Sequence, residues 1–425
     1  MSSKCYHIGF VSARLAGTDG VSLEADKWVE VLNRLGHECF CFSGASDWPD
    51  ERSFIVEEAH FKHPDIQRIN DDVFKKKQRD EETTERVDNL KKYFKKKLQS
   101  FVDRFDIDLL IVENAWSLPM NIPLGLGLAE FVGDSDIPAI AHHHDFWWDR
   151  QRFLGAPADD YLGAAFPVTL SQIQHVVINS VDRRQLSFRK GVSPAMIPNV
   201  MNFNSGPPEW DDYSNDMRKE LGIPGDSHFI LQPTRIVPRK RIEQAIELLK
   251  YLDQKCTLVI SHEAGDEGME YLKYIKRYSE LMNVPVKFAS DRFQQQRGQT
   301  DDGKKIYSLT DAYYQSGMVT YPSQIEGFGN AFLETIYYRR PLVMQNYEIF
   351  KLDIQPKGFE VITIDGFLTE DVIDEVESVL KKPSIANEWT EKNFQLGQKY
   401  YSFETLEVRL SSLLEEAFGR PRNHF

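Results

Sequence analysis

Short, uninterrupted apolar runs alternate with segments of helical period along this chain, and a parallel sheet wrapped by helices satisfies both patterns at once. In the first half the runs are YHIGFVSA at 6–13, HECFCFS at 37–43, IDLLIVEN at 107–114, IPAIAHH at 137–143 and HVVINS at 175–180. A strand covered on both faces has no polar side to alternate, so runs of this kind read as buried parallel strands. Between the first two, SLEADKWVEVLNRLG brings Leu23, Trp28, Val31, Leu32 and Leu35 near one helical face and ends at Gly36, a residue suited to closing a helix. The result is one βαβ unit with an expected right-handed crossover.

The same grammar restarts in the second half with HFILQPTR, CTLVISH, PVKFAS, GMVTYPS, PLVMQ and FEVITI, separated by helical patterns such as IEQAIELLKYL. A chain of 425 residues suits two domains at roughly 100 to 200 residues each. The expectation is an α/β protein of two Rossmann-like domains: residues 1–203, a turn-rich linker at 204–216, residues 217–390, and a helical segment at 391–425 that crosses back to the first domain. The charged stretch at 71–102 reads as one long solvated helix.

Composition removes several classes of function. The net charge of −14 is the wrong sign for a phosphate backbone, so no nucleic-acid partner is expected. No run reaches the roughly 18 apolar residues of a membrane helix, and MSSKCYHIGF lacks the basic and apolar regions of a leader, which suggests a cytoplasmic protein. Cys5, Cys39, Cys41 and Cys256 have neither metal-ligand spacing nor the density of a disulfide scaffold.

Chemistry concentrates in YPSQIEGFGNAFLETIYYRRPLV at 321–343. A strand ends at Tyr321, a turn carries Gly327 and Gly329, and a helix starts near Asn330. Glycines permit close approach and a helix N-terminus favours an anion, so a diphosphate fits there. Glu326 and Glu334 would then reach for hydroxyls of a sugar or ribose. In LQPTRIVPRKRIEQ, Arg235 and Lys240 follow a strand, where open α/β sheets place their ligands; both could hold the charge of a leaving diphosphate, while Arg239 and Arg241 read as surface cations. Near the N-terminus, Gly17 and Gly20 lie in a loop opening a helix without forming a GxGxxG fingerprint.

AHHHDFWWDRQRF at 141–153 follows another strand. Neighbouring positions on an extended chain face opposite ways, so three consecutive histidines cannot converge on one ion, and no metal site is expected. A histidine donating to a sugar, with Trp147, Trp148, Arg150 and Arg152 offering flat faces and cations to an acceptor, fits the segment better, and Trp116 is a further candidate for acceptor contact.

Taken together, GTDGVS, HDFWWDR, INS at 178–180, IPNV at 197–200, TRIVPRK and above all EGFGNAFLE resemble the family-4 retaining glycosyltransferases of the GT-B fold, similar to sucrose-phosphate-synthase and phosphatidylinositol-mannosyltransferase relatives. The resemblance covers nearly the whole chain and implies two domains facing a cleft. Carried over by position, it implies that Glu326 contacts donor-sugar hydroxyls and Glu334 the ribose, and that Gly327, Phe328 and Gly329, with Asn330 at the helix start, line the sugar and diphosphate. Arg235 and Lys240 would hold the diphosphate, Gly17 and Gly20 would lie under it, and His144 would be the histidine near the donor sugar, with His143 beside it on the acceptor side. The chain departs from the family's usual glycine and aspartate after IPN, with Val200, Met201 and Asn202, and from its usual glycine after LVIS, with His262.

The expected activity is transfer of a glucosyl or mannosyl group from a nucleoside diphosphate sugar to a hydroxyl of a small polar acceptor, such as a sugar acid, glycerate glycoside or sugar phosphate. The resemblance implies retention through a same-face mechanism, with cations doing the work of a divalent metal, so neither a metal nor a cofactor is expected. A GT-B epimerase or phosphorylase and a catalytically silent sugar-nucleotide-binding subunit are the alternatives.

Overall fold

Two parallel sheets, each with strands out of sequential order, organise the chain. The computed structural model describes residues 4–17, 19–154, 158–264 and 269–419. Thr18 of the GTDGVS loop and residues 420–425 of the C-terminal segment lie outside them. The described residues form two units, 1–200 with 403–425 and 201–402.

In the first unit the strands are β1 (His7–Val11), β2 (Glu38–Ser43), β3 (Ser53–Ile55), β4 (Leu109–Glu113), β5 (Ala139–His143), β6 (Ile173–Val177) and β7 (Ala195–Met196). They assemble in the order β3-β2-β1-β4-β5-β6-β7, with every pairing parallel. All five residues of β4 are buried, as its uninterrupted apolar run requires, and the last of them is a glutamate. β1 pairs with both β2 and β4, so the strand order reverses at β1/β4, where sheets of this class bind ligands beyond their carboxyl ends.

Helix Gly20–Arg34 lays Trp28, Val31 and Leu32 on this sheet. The final helix, Phe403–Phe418, joins the same apolar cluster through Phe403, Leu406, Leu410, Leu413 and Leu414, a spacing of three and four residues. The charged stretch at 71–102 is divided between helices Pro64–Phe74 and Glu81–Phe105 rather than continuous; Asp80 caps the second by accepting from Thr83 N.

The second unit contains β8 (His228–Gln232), β9 (Cys256–Ile260), β10 (Val286–Phe288), a small antiparallel pair β11 (Gly298–Gln299) and β12 (Lys305–Ile306), then β13 (Met318–Tyr321), β14 (Leu342–Gln345) and β15 (Ile362–Ile364). Its main sheet runs β10-β9-β8-β13-β14-β15, parallel throughout, with the reversal at β8/β13. Gln232 and Thr320 lock that junction: Thr320 Oγ1 donates to Gln232 Oε1 at 2.7 Å and Gln232 Nε2 to Thr234 Oγ1 at 2.7 Å.

The polar stretch 204–216, taken above as the linker, is fastened to this unit. Tyr213 OH donates to Ile306 O at 2.8 Å, and Lys305 Nζ lies 2.9 Å from Asp216 Oδ2. Helix Pro383–Tyr401 also belongs here, so the chain changes units at Ser402. No helix among the described residues is long and apolar enough to cross a membrane.

Candidate active site

The carboxyl ends of β8 and β13, at the reversal of the second sheet, carry Arg235, Lys240 and Glu326 on two adjoining loops. Gln324 N donates to Arg239 O at 3.0 Å and ties the loops together through the backbone. The Glu326 carboxylate accepts from the Lys240 ammonium, and Arg239 NH1 stands 3.4 Å from Glu326 Oε1. The side chains of Lys240 and Glu326 are only 9% and 11% exposed, so this ion pair is shielded from water. Burial alone would push the Glu326 carboxyl up; Lys240 and then Arg239 outweigh it and hold the group below the usual carboxylate range. Lys240 Nζ also sits 5.1 Å over the ring of Tyr321, the last residue of β13.

After Glu326 the chain makes the turn that the glycines announce. Gly329 has φ +116°, and a Cβ there would lie 2.2 Å from Tyr347 OH, whose hydroxyl donates to Phe328 O at 2.6 Å. Helix Asn330–Tyr337 begins directly afterwards with no side-chain cap and no acidic residue in its first turn. A helix start with no side-chain cap and no acidic residue in its first turn suits an anion. One turn in, Glu334 Oε2 accepts from Tyr313 OH at 2.9 Å, and Tyr313 is fully buried. Arg235 is exposed at the mouth of β8. His262, where β9 ends, has its imidazole pushed down to about 4 by burial and by Lys240 and Arg235, and is held neutral against Ser261 Oγ at 2.9 Å.

The residues expected to bind the donor in the second unit thus gather at two neighbouring strand ends. Arg239 was assigned to the surface from sequence, yet it contacts Glu326. Arg241 has φ 47° and points to Gly366 O at 3.4 Å, away from this group.

In the first unit the histidine run divides as strand geometry demands. His142 and His144 share one side, where Glu113 waits at the end of β4: His142 Nδ1 lies 3.1 Å from Glu113 Oε1 and His144 Nε2 lies 2.9 Å from Oε2. The register pairs Glu113 with His142 across β4 and β5. Trp28 stacks on His142 with centroids 4.1 Å apart. His143 turns the other way and meets His175, Nε2 to Nδ1 at 3.0 Å. Burial, then His175, holds His143 well below its ordinary value.

Several residues proposed from sequence are engaged elsewhere. His143 is 1% exposed and Trp116 is fully buried, its indole N–H donating to Gly125 O at 3.1 Å, so both are core groups with no face to give an acceptor. Trp147 donates to Phe166 O at 2.9 Å, and Trp148 stacks on Phe146 with centroids 4.4 Å apart. Arg150 pairs with Asp145, and Arg152 reaches Met120 Sδ at 2.8 Å.

The Gly17 N–H donates to Asp47 Oδ2 at 2.7 Å, and Asp19 caps helix Gly20–Arg34 by accepting from Val21 N and Ser22 N. With Asp19 in that loop and Asp47 bonded to it, Gly17 and Gly20 do not form an open cradle for a diphosphate. Glu113, His142 and His144 are metal-ligand types whose atoms lie within 4.8 Å of one another; their contacts of 2.9–3.1 Å are accounted for by N–H···O hydrogen bonds.

Residues 214–396 match the family model described as "Glycosyl transferases group 1". The chain is 32% identical over 425 residues to the mannosylglucosylglycerate synthase of Thermotoga maritima, covering 92% of this chain and 96% of the relative. The mannosylglucosylglycerate synthase of Petrotoga mobilis is 33% identical, with 84% and 86% covered. Among solved structures, a sucrose-phosphate synthase from Thermosynechococcus elongatus superimposes with a TM-score of 0.68 at 15% identity, over 98% of this chain and 100% of that one, which speaks for the fold alone.

Proposed function

The chain belongs to the group 1 glycosyl transferases, is a hexosyltransferase, and from that premise we propose that it moves a mannosyl group from a nucleoside diphosphate mannose to a hydroxyl of glucosylglycerate. The mannosyl group and the glycerate glycoside are taken from the names of the two synthases. The observation that carries the reading in this molecule is the buried Glu326 carboxylate, held by Lys240 and Arg239 beside an uncapped helix N-terminus. A carboxylate next to an anion site accepts from hydroxyls of the group attached to that anion, which for a sugar nucleotide is the hexose.

In the proposed reaction the diphosphate lies at the start of helix Asn330–Tyr337 with Gly327, Phe328 and Gly329 beside it. Arg235 and Lys240 neutralise the charge it gains on leaving, and Glu334 takes the ribose hydroxyls. His144 donates to a sugar hydroxyl. The bond from the anomeric carbon to the diphosphate oxygen breaks, the acceptor oxygen bonds to that carbon from the same face, and the acceptor proton passes to the leaving diphosphate. Configuration is retained, and these fixed cations replace a divalent metal.

Release of nucleoside diphosphate tests this. With nucleoside diphosphate mannose and a chelator present, release should depend on glucosylglycerate and be absent with inorganic phosphate in its place. Release driven by phosphate would favour a phosphorylase, and release indifferent to either would remove the acceptor assignment.

A further inference from the structure

The shared use of Glu113 by two histidines goes beyond any role assigned so far. Glu113 is fully buried at the end of β4, and a carboxylate can only accept hydrogen bonds. His142 Nδ1 and His144 Nε2 must therefore both carry protons. His142 Nε2 has no partner and is buried, which suits a bare nitrogen in a neutral ring stacked on Trp28. Asn114 fixes the backbone of His144 by accepting from its N–H at 2.8 Å, and Ser117 Oγ in turn donates to Asn114 Oδ1 at 2.9 Å. Of the two imidazoles on Glu113, only that of His144 retains surface, at 8% of its side chain. Its Nδ1, on the side of the ring away from Glu113, takes no protein partner among the described residues.

We propose that Glu113 is a positioning residue for the transfer reaction: by accepting from both imidazoles it holds His144 with Nε2–H turned inward and presents Nδ1 to a substrate hydroxyl. The inference rests on the reading of His144 as a catalytic residue. Burial disfavours charge on His144, but its bond to Glu113 outweighs this and raises its proton affinity, which favours a proton on Nδ1 as well. The titratable groups around His144 are Glu113 from β4, the neutral His142 and Asp145 from its own segment, and Glu24 from helix Gly20–Arg34. The Glu113 carboxyl, which burial would push up, is held at about 2 by the two imidazoles, so it stays ionised across the working range.

Nitrogen-15 spectra of the imidazoles in the full wild-type chain test the tautomer directly. His144 should carry a proton on Nε2, and His142 on Nδ1 alone, with His144 titrating above the free value. His144 protonated only on Nδ1, or titrating at or below the free value of about 6.5, would overturn the proposal. In Glu113→Gln the titration of His144 and the alkaline limb of kcat should both move down, with KM for the donor little changed. An unmoved His144 titration in that variant would also overturn it. If instead His144→Gln keeps full kcat while the spectra behave as expected, the catalytic reading of His144 fails and the positioning of its ring by Glu113 stands.

Discussion

A shielded ion pair is stable only while both partners remain, and this makes the fold sensitive to loss of Glu326. Removing it leaves the Lys240 ammonium, 8% exposed, without its counter-charge, a loss that in buried pairs costs about 3–5 kcal/mol. Glu326→Gln should therefore lower the thermal midpoint. It should also reduce kcat by about a hundredfold or more, the usual effect of deleting one preorganised electrostatic contact. A folded variant with wild-type kcat would remove Glu326 from the mechanism. The pH dependence has a definite sign. The folded Glu326 titrates below its unfolded value, so its contribution to stability is complete above about pH 4.3 and disappears as pH falls through the lower folded value.

At the level of elements, the turn between β13 and helix Asn330–Tyr337 depends on one glycine. Gly329→Ala meets two penalties: a left-handed φ of +116° and a Cβ 2.2 Å from Tyr347 OH. Backbone strain of this kind costs about 1–3 kcal/mol. The variant should melt earlier and lose affinity for nucleoside diphosphates, and adding Tyr347→Phe should not restore the wild type, because the φ strain persists. An unchanged melting curve for Gly329→Ala would contradict the geometry assigned to the turn.

The same turn shows what sequence alone conveys. Two glycines, a glutamate and an apolar helix are local signals, so EGFGNAFLE was readable, as were the long apolar runs that became β1, β2, β4, β5 and β6. Ser53–Ile55, Ala195–Met196 and the β11–β12 pair are two or three residues long, too short for periodicity to register. Glu113 looked like the end of an apolar strand because its partners lie at the end of β5 and just beyond it, and only strand register brings them together. Arg239 was hidden for a similar reason: its neighbour Glu326 is 87 positions away. Trp116 and His143 show the converse, since an aromatic or imidazole near a strand end looks available until its burial is known.

For the whole molecule, the match to the group 1 model, 214–396, falls within the second unit, 201–402, which carries Arg235, Lys240, Glu326 and helix Asn330–Tyr337. The synthase of Thermotoga maritima, by contrast, matches across 92% of the chain, so its likeness extends into the first unit. The central claim is retained mannosyl transfer to a glycerate glycoside without a metal. Proton NMR of the product is its most direct test, using wild-type protein, a nucleoside diphosphate α-mannose, glucosylglycerate and excess chelator. The prediction is a new α-mannosyl anomeric signal that grows as the donor signal falls. A β-mannosyl product would contradict retention, and no product until a divalent metal is restored would contradict the role given to Arg235 and Lys240.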